Sequence, residues 1–384
     1  MNNVVYFPAF WLVIAALVIG IVAILSAISY FRQTIGKDPL SRSQFHRQIV
    51  LLQQMRWVLS LLAIAMTGVG LGAWYLDSTQ KEKSEAEMRA GLLPQYDRGK
   101  IWEAPDPLLA ETDEQASLIA YGRDLVARTQ DYFGENGLVR PGSINNMNCQ
   151  NCHLDAGSKP YGNNYFAVSS TYPQMRARSG SLETIPKRIN DCFERSLNGQ
   201  ALDTTGREMR AIVAYMQWLG TSIPKGEKPK GSGLAEVPFL NRPADPVLGQ
   251  KIYAEKCASC HGADGQGLPI SADSPRDYPP LWGDKSYNQA AGLFRMSRFA
   301  AYVKANMPFG ASYQNPQLSD EEAWDVAAYV NSQPRPAHPF LKSDWPKIEK
   351  KPYDHPFGPY ADPFSEEQHK FGPYDPIIAF YKKD

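Results

Sequence analysis

Cys149-Gln-Asn-Cys152-His153 recurs 108 positions later as Cys257-Ala-Ser-Cys260-His261. Each C-x-x-C-H offers two thiols at the spacing that forms thioether bonds to the haem vinyl groups. The histidine that follows is placed to ligate the iron. A C-x-x-C pair also holds zinc, but a histidine directly after both pairs favours two covalently bound haem c groups. Covalent haem is attached outside the cytoplasm, so the motifs predict a periplasmic or equivalent setting. Four of the five cysteines are thereby used. Cys192 is left over, with no free thiol in the chain to pair with.

Working outward, helical periodicity surrounds each motif. Before the first, Thr112 and Gln115 suit a capping box, and Leu118, Gly122, Leu125, Val126, Thr129 and Phe133 follow at helical spacing. After it, residues 154–181 read as loop, 183–197 as a helix carrying Cys192, and 206–219 as a closing helix. The second unit repeats this plan with helices at 246–257, 294–305 and 320–332. The closing helices share a pattern, AIVAYMQWLG at 211–220 and DVAAYVNSQP at 325–334, which reads as an internal duplication. The expected fold is mainly α: two class I cytochrome c-type haem domains in tandem, at 106–221 and 236–334, joined by a Lys/Gly/Pro linker at 222–235.

Residues 1–31 carry no charged side chain, and Phe10 to Phe31 is apolar enough to span a bilayer. A cleaved signal peptide is the rival reading, but a positive start and a small-residue cleavage site are not evident. Residues 32–56 hold Arg32, Lys37, Arg42, Arg47 and Arg56 against the single acid Asp38. Trp57–Leu76 forms a second apolar span. The positive-inside rule puts the 32–56 loop in the cytoplasm, with the N-terminus and everything after Asp77 outside. A two-helix transmembrane hairpin is therefore expected, with a periplasmic stalk at 77–105. The location is a bacterial cytoplasmic (inner) membrane, with the haem domains in the periplasm. The spans hold no charge and no histidine, which argues against an intramembrane cofactor or proton path. A formal net charge of zero over 384 residues leaves no basic footprint for nucleic acid. Residues 335–384, rich in proline and aromatics with FGPY at 357–360 and 371–374, are expected to form an irregular tail without regular helix or sheet.

The six histidines leave none spare inside either haem domain: His46 is in the basic loop, and His338, His355 and His369 are in the tail. Unless the tail folds back, each iron takes a sixth ligand other than histidine. For the second haem, Met307 in Ala-Asn-Met-Pro-Phe-Gly is favoured over Met296, which falls on a helix. For the first, the candidates are Cys192, Met175, Met209 and Met216. Cys192 shares a helix face with Arg188 and Ser196, and a neighbouring arginine favours the thiolate.

Three segments, Tyr172-Pro-Gln-Met-Arg-Ala-Arg178, Lys187-Arg-Ile-Asn-Asp-Cys192 and Arg195-Ser-Leu-Asn-Gly199, resemble the thiosulfate dehydrogenases, dihaem cytochromes c. The resemblance covers roughly residues 105–335 and excludes the spans and the tail. It implies that the first haem is the active site, with His153 and Cys192 as its iron ligands and Arg178 and Arg188 binding substrate. Asn306 stands where some members carry a lysine that exchanges with the methionine. His261 and Met307 are thus expected on the second iron in both redox states. The implied reaction joins two thiosulfates into tetrathionate, or runs in reverse. Cys192 carries a covalent sulfur adduct, and electrons leave through the second haem to a cytochrome, an oxidase or a quinone-linked complex. Two other functions use much of the same chain. One is a non-catalytic membrane-bound electron carrier of a respiratory complex. The other is a cytochrome that conjugates thiosulfate to a carrier protein.

Overall fold

The computed structural model describes residues 18–22, 24–30, 32–33, 41–106, 109–110, 112–270, 278–339 and 341–382. It divides into two compact units, residues 1–88 and 89–384. Much of the first expected span and the centre of the basic loop, with Lys37 and Asp38, lie outside the described residues.

In the first unit, residues 18–22 and 24–30 are helical. A Cβ on Gly20 would sit 2.3 Å from Leu62 Cδ1, the movable end of that side chain. Helix α1, Arg42–Gly91, runs 50 residues without a break, ~75 Å at 1.5 Å per residue. The expected loop at 32–56 and stalk at 77–105 are therefore partly helix. Their polar residues include many good helix formers and no proline between Arg42 and Gly91, so the apolar span propagates into both flanks. Trp57, Leu61, Ile64 and Trp74 on α1 are each more than 60% exposed, an apolar surface that none of the described residues covers.

In the second unit, α2 (Asp113–Ala127) opens on Thr112, whose hydroxyl accepts from Gln115 N at 3.1 Å. It crosses α5 (Arg207–Leu219), and a Cβ on Gly122 would lie 2.0 Å from the Ala211 carbonyl oxygen. Between them lie α3 (Thr129–Phe133), the hairpin of β1 (Gln174–Arg176) and β2 (Ser181–Glu183), and α4 (Ile185–Arg195). The second haem domain has α6 (Pro246–Lys256), α7 (Met296–Asn306) and α8 (Asp320–Ser332). Here a Cβ on Gly249 would lie 1.9 Å from the Asp325 carbonyl oxygen, and Tyr329 flanks the contact as Tyr215 does in the first domain. The duplicated motif thus marks the same close helix crossing in both domains.

The linker at 222–235 is not free. It runs along the first domain: Lys230 O accepts from Trp102 N, Gly231 O from Tyr161 N and Gly233 O from Asn163 N. Trp102, expected in the stalk, is buried and donates its indole N–H to Leu219 O at 2.8 Å.

The tail differs most from expectation. It folds back on the second domain and forms α9 (Glu366–Phe371) and α10 (Asp375–Tyr381). Pro376 occupies the first turn of α10, where no N–H is required, so a proline-rich composition did not exclude helix. Tyr374 and Ile377 join the core of the second domain. The tail histidines are buried in structural roles. His369 contacts the Tyr353 carbonyl and the Asp362 carboxylate and stacks on Tyr360, and His355 contacts the Phe357 carbonyl.

Asp354, 1% exposed, anchors this tail by accepting from Arg295 Nε at 2.7 Å and Ser297 N at 3.0 Å. Burial pushes its pKa up, but Arg295 and Ser297 pull harder and the net shift is down. A carboxylate depressed in the folded state stabilises above its unfolded pKa of about 4, and that contribution is lost as pH falls through the folded value. Asp354→Ala is expected to cost about 2 kcal/mol by removing its charge-assisted hydrogen bonds to Arg295 and Ser297. Proteolysis of the tail in that variant should be fast at neutral pH, and in the parent chain only on strong acidification. Equal protection of both at neutral pH would refute the anchor.

Candidate active site

The faces of α4 separate two tasks. Ile185, Ile189 and Phe193, spaced one turn apart, are buried in the core. Arg188 and Cys192, also one turn apart, face a different way, and Arg188 Nη1 donates to Cys192 Sγ at 3.4 Å. The Cys192 sulfur in turn holds the guanidinium above its ordinary range. Thr184 caps the helix by accepting from Lys187 N, and Pro186 sits in the first turn.

Cys192 borders two cavities. A cleft of about 360 Å³ is lined by Cys149, His153, Tyr165, Phe193 and Met216 among others. A chamber of about 310 Å³ is lined by six arginines (176, 178, 188, 195, 295 and 298) and the two carboxylates Glu183 and Asp191. His153, Asn163, Arg176, Arg188, Cys192 and Arg298 line both.

The cleft fits a tethered haem. No disulfide joins the five cysteines. His153 Nδ1 donates to the Asn163 carbonyl, and its ring lies 4.4 Å from that of Tyr165. Burial pushes the His153 pKa down to about 4. The neutral ring with its proton on Nδ1 leaves the Nε2 lone pair free for a metal. In the second domain, His261 Nδ1 repeats the arrangement with the Pro279 carbonyl at 3.0 Å. Each of the two cytochrome c domains binds a haem c covalently.

Of the candidate ligands for the first haem, Met175 is 68% exposed on β1 and Met209 is buried in the core. Cys192 and Met216 line the cleft. In the second domain, Met296 is 2% exposed inside the core, whereas Met307 caps the end of α7 and is half-buried. Asn306, beside it, donates to the Tyr161 carbonyl of the first domain at 3.1 Å. Tyr302 OH likewise donates to Asn151 O, within the first haem motif, at 2.7 Å.

Arg178 and Arg188 both line the chamber, and four further arginines do too. Arg195 makes a two-pronged bond to Asp344 of the tail, at 2.7 and 2.9 Å, and Arg295 holds Asp354. Arg178 donates to Ala290 O at 2.9 Å and lies 4.0 Å from Asp344. Burial and the Arg195 charge push its pKa down to about 10. Trp345 N donates to Arg178 O at 2.7 Å from a left-handed backbone with φ 63°, a costly state for a bulky residue. Arg195 was visible within the family-like segment. The contribution of the second domain and of the tail had no sequence signal, because both are long-range contacts.

Known proteins agree with this architecture. The family described as "SoxA/TsdA, cytochrome c domain" matches residues 139–224, and "Cytochrome c" matches 246–334. A thiosulfate dehydrogenase of Stutzerimonas stutzeri is 34% identical over 284 residues, 74% of this chain and 87% of that protein. One from Allochromatium vinosum is 38% identical over 60% of this chain and 86% of its own length. One from Psychrobacter arcticus is 44% identical over 53% of this chain, and the match spans 60% of that relative. The solved thiosulfate dehydrogenase (TsdBA) of Marichromatium purpuratum, as isolated, superposes with a TM-score of 0.56 at 32% identity, over 62% of this chain and 51% of its own. On the strength of these matches over both haem domains, the chain belongs to the thiosulfate dehydrogenase family.

Proposed function

We propose that the protein oxidises two thiosulfates to tetrathionate at Cys192. The observation that carries this is a single thiol on the border between a haem-sized cleft and an arginine-lined chamber, with Arg188 on its sulfur. Thiosulfate is a dianion. Two unit charges about 4 Å apart repel by about 4 kcal/mol at a protein-surface dielectric, so two dianions need cations to meet. Arg178 and Arg188 supply that charge and hold both ions in place before reaction.

The steps balance as follows. The Cys192 thiolate bonds the outer sulfur of one thiosulfate, giving a Cys192 Sγ–S–SO₃⁻ adduct and releasing two electrons. The outer sulfur of the second thiosulfate attacks the adduct, the bond to Cys192 breaks, and tetrathionate leaves with the thiolate restored. The two haems supply the acceptors, one electron each. Arg188 stabilises the thiolate both as nucleophile and as leaving group.

In this reading His153 and Cys192 would hold the first iron and His261 and Met307 the second, and the bound haems would carry electrons on to a downstream acceptor. The apolar stretch of α1 anchors the chain in the inner membrane, with residues 18–30 belonging to a second span. The haem domains then lie in the periplasm. Alkaline carbonate washing should leave the protein in the membrane pellet, and full release would remove the anchor.

The decisive experiment joins a tetrathionate assay to electron paramagnetic resonance of the oxidised protein. Low-spin His/thiolate and His/Met signals with thiosulfate-dependent tetrathionate formation are expected. His/Met signals alone without turnover would leave an electron carrier.

A further inference from the structure

Arg298 stands third in α7, a helix of the second haem domain, yet it lines both cavities of the first. Four of the other chamber arginines face a carboxylate: Arg195 and Arg178 meet Asp344, Arg295 holds Asp354, and Arg176 lies 3.7 Å from Glu183. Arg188 is on the Cys192 sulfur. Among the described residues, Arg298 has no hydrogen-bond or ion-pair partner. Its side chain is exposed and opens onto both cavities.

Its position is also electrostatically unfavourable. The first turn of a helix carries the positive end of the helix dipole, which favours anions and disfavours cations. Arg295, at the N-cap of the same helix, adds another positive charge. Desolvation by the surrounding protein, followed by the Arg295 charge, pushes the Arg298 pKa down. An arginine with no partner in the chain, on the wall of an arginine-lined chamber, is free to pair with an anion that enters it.

We propose that Arg298 is a substrate-binding residue that takes an oxyanion group of thiosulfate, so that the second haem domain completes the anion site of the first. This rests on the proposed thiosulfate oxidation. The chemistry Arg298 recognises, a planar or trigonal oxyanion, is shared by a sulfonate and by a haem propionate. We assign it to the sulfonate because Arg298 lines the chamber together with Arg178, Arg188 and Cys192.

The test is calorimetric titration of thiosulfate into the photoreduced dihaem protein, in which no oxidised haem remains to drive turnover. Arg298→Gln is expected to weaken Kd by about tenfold or more, as for a lost charge-assisted bond. Arg298→Lys should recover much of it, with two haems per chain throughout. An unchanged Kd in Arg298→Gln, beside normal binding by the parent, overturns the assignment. So does an unchanged Kd with a shifted midpoint potential of the first haem, which would mark a propionate anchor. A parent protein that binds no thiosulfate overturns the proposed activity and this inference together.

Discussion

Replacement of Cys192 by alanine is expected to leave both haems attached and to lower tetrathionate formation by about three orders of magnitude or more, the scale seen when a covalent nucleophile is removed. Neither C-x-x-C-H uses Cys192, so haem content measured as the pyridine haemochrome should stay at two per chain. Cys192 is half-buried on the polar side of α4, and Ile185, Ile189 and Phe193 hold the helix without it. The fold should therefore survive. The His/thiolate resonance should vanish with the activity, because one sulfur serves both. Thiosulfate binding should persist, since Arg188 loses its contact to sulfur and stays in the chamber. Turnover retained in this variant would remove the covalent role.

Gly249→Val is expected to have the largest effect on stability. The obstacle to a Cβ is not a movable side chain but the Asp325 backbone oxygen, 1.9 Å away, and the Tyr329 Cβ at 2.9 Å. Relief requires α6 and α8 to separate, which uncovers a core that includes Tyr253 and Trp324. Overpacking a well-fitted core costs about 1–3 kcal/mol, and more where backbone must move. About 3 kcal/mol lowers the Tm of a domain near a hundred residues by roughly 10–20 °C. Gly122→Val should do the same in the first domain, where the Ala211 oxygen is 2.0 Å away. Scanning calorimetry of the holoprotein reads both. An unchanged Tm in either variant would show that the crossing is looser than drawn.

What could be read beforehand was local. Two C-x-x-C-H motifs fix covalent chemistry at four sulfurs, and helical periodicity placed α8 at its observed ends, Asp320–Ser332. Thr112 caps α2 as its sequence suggests. Met307 was distinguished from Met296 because a methionine before proline at a helix end differs from one inside a helix, and only Met296 lies in the core. The tail was misread because composition speaks of propensity, whereas Tyr374 and Ile377 are held by burial against the second domain. The chamber was half visible. Arg178 and Arg188 lie near Cys192 in sequence, but Arg295 and Arg298 reach it only through tertiary packing between the domains.

The tail also separates charge control from haem attachment. Asp344 and Asp354 are the counter-ions of Arg195 and Arg295, with Arg178 close to Asp344, and both acids lie beyond the last residue of either cytochrome c match. A chain cut near residue 335 would retain both haem motifs and every residue assigned to sulfur chemistry. It would lose two carboxylates from beside three guanidiniums, and the core residues Tyr374 and Ile377 from the second domain. Part of the chamber's charge balance is thus set from the C-terminus, by a segment that also fills the core of the second haem domain.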